Sequence, residues 1–189
     1  MSVTRKASHL FDSVDQREFL LCQSVNQLLR YWPIRRYFSV VSRLGDGWVW
    51  YLVILALPVL YPDQGLGIAL AMVTTGLVCT LIYKLLKQRL VRERPFISFT
   101  TINCALPPLD RYSFPSGHAL HAVCFNTMLA LAAVPALAWL MLPFTLSVVA
   151  SRVILGLHYP TDVAAGVLIG GCLGLLATQP LINLFTQTV

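Results

Sequence analysis

The feature that most constrains this chain is a series of five apolar segments, most of them separated by short loops. They cover residues 48–61, 65–86, 118–134, 136–155 and 162–184. A run of about 20 apolar residues is long enough to cross a bilayer as an α-helix. Of the 189 residues, 57% are hydrophobic and only 12% are charged, about half of what a soluble domain typically carries. The sequence therefore predicts an all-α integral membrane bundle of about five transmembrane helices.

The segment before these spans, residues 1–46, has a different pattern. Apolar residues recur at helical spacing from Phe11 to Trp32 and again from Ile34 to Val41, with charged or amide side chains on the other faces. Both stretches are too polar to cross a bilayer, so we expect amphipathic helices that lie in the membrane interface. The alternative is a helical hairpin packed on the membrane domain. We divide the chain into this N-terminal segment and a transmembrane domain, residues 47–189.

The net charge of +6 is concentrated in the N-terminal segment and between Lys84 and Arg94. In a soluble protein such an excess would suggest nucleic acid as a partner. Next to apolar spans, anionic lipid headgroups are the better partner, so we expect membrane lipids and no nucleic acid. Lys84, Arg89 and Arg92 are predicted to extend their charged ends to these headgroups.

Polar residues suited to phosphate chemistry stand at the ends of the apolar segments. Ser116, Gly117 and His118 directly precede one span. Unpaired N–H groups and the positive end of the helix dipole would face an anion there, and glycine lets the backbone approach it. Histidine adds a group that titrates near neutral pH. This pattern predicts an anion site at the start of a helix.

Two flanking clusters add fixed cations, a second histidine and a carboxylate. Lys87 is followed by Arg94, and Arg152 is followed by His158 and Asp162. If the preceding helix continues toward Arg94, Lys87 and Arg94 lie about two turns apart on nearly one face and can meet one anion. Both clusters follow an even number of spans. They are therefore expected on the same side of the membrane.

In order and spacing, residues 87–95, 115–118 and 151–162 resemble the three signature motifs of the type 2 phosphatidic acid phosphatase (PAP2) superfamily. The superfamily also contains glucose-6-phosphatase, bacterial undecaprenyl pyrophosphate phosphatases and the vanadium haloperoxidases. The resemblance implies that residues 47–189 form the catalytic domain of a metal-independent lipid phosphatase with no cofactor. The compact size and brief loops look like the undecaprenyl pyrophosphate phosphatase branch.

The same resemblance implies a role for each motif residue. His158 would attack phosphorus and form a phosphohistidine, and Asp162 would accept a hydrogen bond from its other ring nitrogen. His118 would be the general acid for the leaving group. The residues expected to bind the substrate phosphate are Lys87, Arg94, Ser116, Gly117 and Arg152. No metal ligands are expected.

Several alternatives stay open. A phosphatidylglycerophosphate, phosphatidate or lipid A phosphatase would carry the same motifs, and a lipid phosphotransferase would use the same phosphohistidine. A vanadate-dependent haloperoxidase would bind vanadate in this site, but the apolar spans count against it because those enzymes are soluble. A lipid transporter or phosphate sensor would need the cations but neither the nucleophile nor the acid.

Two arguments about sidedness disagree. The basic residues near the N-terminus and the first motif would place this end of the protein in the cytoplasm. The resemblance implies the outer face, where bacterial members usually work. Lys87, Arg94 and Arg152 are held for catalysis, so they are poor indicators of topology. We therefore expect a bacterial inner-membrane protein whose active site lies on the periplasmic face.

Overall fold

The computed structural model describes residues 2–108, 110–132 and 134–187, and the side chains of 11, 13–108, 110–132 and 134–186. All secondary structure in this described part is helical, which confirms the predicted class. The N-terminal part comprises α1 (Ser2–Asn26), a 3₁₀ turn (Gln27–Arg30) and α2 (Trp32–Leu44). The remaining helices are α3 (Trp48–Leu60), α4 (Gly65–Arg89), the short α5 (Pro95–Ser98), α6 (Gly117–Leu131), α7 (Pro135–Ile154) and α8 (Pro160–Gln187).

The five predicted spans all form helices, but they differ in length. Within the described chain, α4, α7 and α8 are each long and apolar enough to cross a bilayer. Helix α3 has only 13 residues and reaches the required length together with α2, at a bend of 51°. Helix α6 has 15 residues, about 22 Å, and packs against α4, α7 and α8. The protein is therefore a multi-pass membrane bundle with a short helix at its centre.

Helix α8 lies directly against α6 because glycines stand at the contact. A Cβ atom at Gly166 would lie 2.6 Å from the Ser116 carbonyl oxygen, and one at Gly170 would lie 2.2 Å from the Leu120 carbonyl oxygen. No larger residue fits at such distances. The close packing brings the start of α8 to the start of α6, where the Ser116 N–H donates to the carbonyl of Asp162 at 3.0 Å.

Successive spans alternate in direction, so one end of the bundle collects the polar clusters. There, Asp46 before α3 contacts His118 at the start of α6. At the opposite end, the side-chain amide of Gln179 in α8 donates to the Leu131 carbonyl in α6. This arrangement agrees with the expectation that the three sequence clusters lie on one side. We call the end that holds His118 the polar end.

The N-terminal helices pack on the bundle at the polar end. The side-chain amide of Asn26, where α1 ends, donates to the carbonyls of Asn103 and Ile154, each at 3.0 Å. Arg35 and Arg36 on α2 are exposed. The segment thus combines a basic outer face, as predicted for interfacial helices, with the packing described by the alternative hairpin.

Helix α4 ends earlier than predicted. It stops at Arg89, and the chain continues without helix to Pro95, which opens α5. The residue before a proline disfavours helical backbone, and Arg94 is extended, with φ −84° and ψ 151°. Lys87 and Arg94 therefore do not share a helix face as expected. The extended segment instead turns Arg94 toward Lys87, so that both bind Asp110.

Candidate active site

A cavity of about 920 Å³ lies at the polar end of the bundle. Six of the eight residues predicted for the site line it. They are Lys87, Arg94, Gly117, His118, Arg152 and His158. The other two, Ser116 and Asp162, are fully buried next to these residues. The fold thus brings all three sequence clusters together around one space.

His158 lies in the turn between α7 and α8 and is 2% exposed. Its Nε2 atom is 3.3 Å from Nη1 of Arg94. Because a guanidinium only donates, Nε2 accepts in this contact and the ring proton is on Nδ1. Burial lowers the pKa of His158 well below its ordinary value, and the charges of Arg94 and Arg152 lower it further. The ring is therefore neutral at neutral pH, with its lone pair on Nε2.

Asp162 faces the correct nitrogen of His158 but is not hydrogen-bonded to it. Nδ1 of His158 and Oδ2 of Asp162 are 3.7 Å apart, which is longer than a hydrogen bond. Oδ2 instead accepts the Tyr159 N–H at 2.8 Å, and Oδ1 accepts from Nη1 of Arg92 at 2.6 Å. Catalytic hydrogen bonds are often long without substrate. The expected contact thus needs only a small movement of the ring.

The prediction for Arg92 was wrong. It does not extend to lipid headgroups, because its side chain is fully buried at the polar end. It donates to the carboxylates of Asp15, Glu18 and Asp162, and its guanidinium lies 4.0 Å from the Tyr159 ring centre. Burial alone would lower the pKa of Arg92, but the three carboxylates raise it. Arg92 thus connects α1 to the start of α8.

Lys87 and Arg94 share one carboxylate, that of Asp110 in the loop before α6. Nζ of Lys87 lies 2.6 and 2.8 Å from the two carboxylate oxygens, and Nη2 of Arg94 lies 2.8 Å from one of them. Burial alone would raise the pKa of Asp110, but the hydrogen bond from Lys87 and the charges of both cations lower it. The sequence pattern did not indicate a role for Asp110. The two cations thus meet at one anionic side chain, and their binding of a substrate phosphate stays a prediction.

Arg152 and Ser116 provide buried polar atoms at the site. Arg152 is 3% exposed, and its Nη1 donates to Oγ of Ser42 at 2.5 Å. Neither Nε of Arg152 nor Oγ of Ser116 has a hydrogen-bond partner among the described residues. The backbone N–H of Ser116 was expected to face the anion, but it donates to the Asp162 carbonyl. An anion at this helix start would therefore meet the amides that follow, beginning with Gly117.

His118 occupies the first turn of α6 and faces the cavity. Its Nε2 atom lies 2.6 Å from Oδ1 of Asp46, in the turn between α2 and α3. Nothing in the sequence pattern indicated Asp46 as a partner of His118. The two histidines of the site therefore each have a carboxylate nearby, at 2.6 Å for His118 and at 3.7 Å for His158.

Comparison with known sequences agrees with this arrangement. Residues 64–183 match the profile of the PAP2 superfamily. The chain belongs to the PAP2 superfamily. The match includes all eight predicted site residues and excludes the first 63 residues, and with them Asp15, Ser42 and Asp46. The resemblance drawn from the three motifs is confirmed.

Two curated relatives show how far the similarity extends. The undecaprenyl-diphosphatase of Sulfolobus acidocaldarius is 30% identical over 140 residues, which are 74% of this PAP2 chain and 66% of that protein. The decaprenylphosphoryl-5-phosphoribose phosphatase of Mycolicibacterium smegmatis is 42% identical over 82 residues, 43% of this chain and 42% of that protein. The chain thus matches less than two thirds of the length of either relative.

Two solved structures share the fold of this PAP2 chain. The crystal structure of Aquifex aeolicus LpxE has a TM-score of 0.70 at 24% identity and covers 83% of this chain and 92% of its own. The transmembrane PAP2 type phosphatidylglycerolphosphate phosphatase of Bacillus subtilis has a TM-score of 0.73 at 21% identity and covers 94% and 88%. At these identities the likeness concerns the fold.

Proposed function

We propose that this protein is a membrane lipid phosphatase that acts through a phosphohistidine. The observation that carries the proposal is the convergence of three cations and one neutral histidine on a single cavity. Lys87, Arg94 and Arg152 would neutralise the phosphate oxygens, the part that metal ions play in kinases. The lone pair that a nucleophile needs is on Nε2 of His158, where it accepts from Arg94 and would turn to phosphorus when a phosphate binds the guanidinium.

The reaction would proceed in two steps. Nε2 of His158 attacks phosphorus, the bond between phosphorus and the leaving oxygen breaks, and His118 gives that oxygen a proton. Asp162 stabilises the positive charge that develops on His158. A water molecule then attacks the phosphohistidine while His118 takes its proton. The phosphorus–nitrogen bond breaks, which releases inorganic phosphate and restores both histidines.

The partners of the cations fit a phosphate ligand. Nε of Arg152 is a buried donor without a partner among the described residues, and an unpaired buried donor is unfavourable. A phosphate oxygen would accept a hydrogen bond from this Nε atom. Lys87 and Arg94 already hold one anionic group, Asp110, at 2.6 to 2.8 Å. A bound phosphate would share or replace that carboxylate.

An apolar groove leads from the site along α3 and α4. Its lining includes Trp50, Ile54, Leu55, Met72, Val73 and Leu77. At its rim, Leu55 and Leu77 are 72% and 68% exposed, so the groove is continuous with the lipid-facing surface of these helices. A single groove between two helices suits one long hydrocarbon chain better than two.

We therefore favour a polyprenyl pyrophosphate, undecaprenyl pyrophosphate, as the substrate. The names of both curated relatives refer to polyprenyl-linked phosphates. Phosphatidylglycerophosphate, phosphatidate and lipid A phosphates are the alternatives, and the name of the Bacillus subtilis structural neighbour refers to the first of these. Transfer of the phosphoryl group to another lipid is the second reaction that the same intermediate would support.

The test is phosphate release by the purified protein in detergent from a panel of these lipids. We expect the highest kcat/KM with undecaprenyl pyrophosphate, and inorganic phosphate as the labelled product. Label recovered in a second lipid would identify a phosphotransferase instead. Absence of release from every lipid in the panel, by protein that remains folded, would refute the proposed function.

We further propose that the polar end faces the periplasm of a bacterial inner membrane. Exposed residues at opposite ends allow a paired test, with Glu93→Cys near the site and Asp63→Cys in the turn between α3 and α4, each in a variant without other cysteines. A membrane-impermeant maleimide should label the Glu93→Cys protein in intact cells and not the Asp63→Cys protein. The reverse pattern would place the site in the cytoplasm.

A further inference from the structure

The turn between α2 and α3 places a carboxylate against one of the two site histidines. Oδ1 of Asp46 lies 2.6 Å from Nε2 of His118, and their side chains are 34% and 11% exposed. This is a short, charge-assisted contact. It joins residues 72 positions apart, so it depends on the tertiary fold.

The turn is built to hold Asp46 in this place. Gly47 has φ +131°, a backbone conformation that other residues rarely adopt. Gly45 packs against α7, where a Cβ atom would lie 3.1 Å from the Val148 side chain. All three residues of the turn line the cavity. Asp46 is therefore fixed between α7 and the cavity and does not lie on a free loop.

Nε2 of His118 must carry a proton in this contact, because a carboxylate oxygen only accepts. The other nitrogen, Nδ1, is then the one left for proton transfer. This division matches hydrolase triads, in which a carboxylate binds one imidazole nitrogen and the chemistry takes place at the other. The negative charge of Asp46 favours the protonated imidazolium, the form that a general acid needs.

We infer that Asp46 is a positioning residue for His118, which keeps Nε2 protonated and turns Nδ1 toward the leaving oxygen. The inference rests on the proposed function, since it assigns His118 as the acid. In the first step, Nδ1 gives its proton to the leaving oxygen as the bond to phosphorus breaks. In the second step, Nδ1 takes a proton from the attacking water. The proton on Nε2 stays with the Asp46 contact throughout.

Other charged or titratable groups also surround His118. Burial opposes protonation of His118 most strongly, the positive side chain of Arg152 in α7 and His121 one turn along α6 also oppose it, and Asp46 favours it. His158 lines the same cavity as His118. From α4, the Tyr83 ring lies near the start of α6. Asp46 is the carboxylate among these described neighbours. Its removal should therefore shift the equilibrium between protonated and neutral His118 toward the neutral form.

The test compares two substrates whose leaving groups differ in how strongly their departure depends on protonation. Attack on undecaprenyl phosphate expels the undecaprenyl alkoxide, whereas attack on the terminal phosphorus of undecaprenyl pyrophosphate expels undecaprenyl phosphate, which needs less protonation. We expect Asp46→Asn to reduce kcat for the monophosphate by about 10- to 100-fold and to reduce kcat for the pyrophosphate less. The alkaline limb of the kcat profile should move to lower pH. KM should change little.

Two further variants complete the design. Asp46→Glu keeps the carboxylate and should restore most of the activity and the original pH profile, and Asp63→Asn makes the same substitution in the exposed turn at the opposite end. If Asp46→Asn does not fold, Asp46→Ser serves as the second neutral variant. The control at Asp63 should match the wild type.

Three results separate the possible failures. Equal losses on both substrates, with an unmoved pH profile, would show that Asp46 is only structural. A lower KM with unchanged kcat would show that Asp46 merely occupies the place of a substrate oxygen, and would also overturn the inference. Inactive wild-type protein would refute the proposed function itself, which is a separate outcome.

Discussion

The two parts of the chain that meet at the cavity contribute in different ways. The motif region, residues 87–162, supplies the side chains that line the site. The N-terminal segment, residues 1–46, mostly supplies partners for them. Its contacts are those of Asp15 and Glu18 with Arg92, of Ser42 with Arg152, and of Asp46 with His118. The residues that line the site and the residues that bind to them thus come from different parts of the chain.

This difference follows from what each part has to do. The proposed nucleophile, acid and phosphate-binding cations would have to keep fixed relative positions, which makes their spacing recognisable, and residues 64–183 carry the PAP2 match. A partner has only to reach one of these groups from any direction. It can therefore come from a segment outside the match. The boundary at residue 46 separates two sequence patterns, but the two parts pack around one site.

Removal of the proposed nucleophile, His158, from the motif region should have the largest effect. We expect His158→Ala to lose at least about a thousandfold in kcat and to form no phosphoenzyme, because no other described nitrogen holds this position. The measurement is phosphate release together with trapping of labelled protein after an alkaline quench, because the phosphorus–nitrogen bond of a phosphohistidine is labile in acid.

A matched control for His158→Ala is His121→Ala. His121 packs between helices, with Nδ1 2.8 Å from the Gly117 carbonyl oxygen and Nε2 3.2 Å from Oγ1 of Thr80. It has no assigned step in the reaction. If His158→Ala still turned over near the wild-type rate, or if His121→Ala alone abolished the phosphoenzyme, the assigned nucleophile would be wrong.

Breaking the connection between the two parts should have the next largest effect. Arg92→Gln would leave the carboxylates of Asp15, Glu18 and Asp162 without their shared cation. Removal of one member of a buried ion pair typically destabilises by about 3–5 kcal/mol. We expect a loss of this order in the free energy of unfolding, measured by denaturation in detergent, together with reduced kcat.

Arg89→Gln is the control for the Arg92 variant. Arg89 is exposed at the end of α4, and most such surface substitutions change stability by less than about 0.5 kcal/mol. Equal effects of the two variants would mean that the buried network does not stabilise the contact between α1 and the site. The contact between the N-terminal segment and the motif region would then contribute little to the free energy of unfolding.

The sequence predicted most of the fold because that information is local. Apolar length and helical period mark the spans, and the residue before Pro95 marks an interruption in helix. The motif residues were identified in the same way, since each cluster lies within a few positions along the chain. Six of the eight indeed line one cavity. The features that the sequence predicted correctly depend only on residues that are close together along the chain.

The features that escaped prediction depend on partners far away in sequence. Arg92 was indistinguishable from Arg89 without knowledge that Asp15, 77 positions earlier, would reach it. The Ser116 amide was expected to be free, but α8 packs so closely that the backbone carbonyl of Asp162 accepts a hydrogen bond from it. The charges of Asp46 and Asp110 were visible, but nothing in their spacing named His118 or Lys87 as a neighbour.

Acid should destabilise the protein moderately through His158. Burial places its pKa well below the ordinary value of about 6.5. Below pH of about 6.5 the unfolded chain binds a proton at this residue and the folded protein does not. The stability that the neutral ring contributes is therefore complete above that pH and is lost as pH falls toward the folded-state pKa.

The corresponding measurement is the thermal midpoint in detergent between pH of about 7.5 and 5. We expect the midpoint of the wild type to fall toward acid pH, and His158→Gln to show a weaker dependence because glutamine does not titrate. A fall of the same size in both proteins would assign the acid sensitivity to other groups. It would also contradict the depressed pKa of His158.

Chelation should have the smallest effect of all, because the motif region supplies its own cations. Lys87, Arg94 and Arg152 line the cavity, and fixed positive side chains can stabilise the developing charge of phosphoryl transfer. We expect unchanged phosphate release in excess EDTA, and we expect Arg152→Ala to lose about 10²–10³-fold with no recovery on addition of Mg²⁺. Loss of wild-type activity in EDTA and its return with Mg²⁺ would mean that these side chains do not replace a metal. The division between a motif region that performs the chemistry and an N-terminal segment that positions it would then be incomplete.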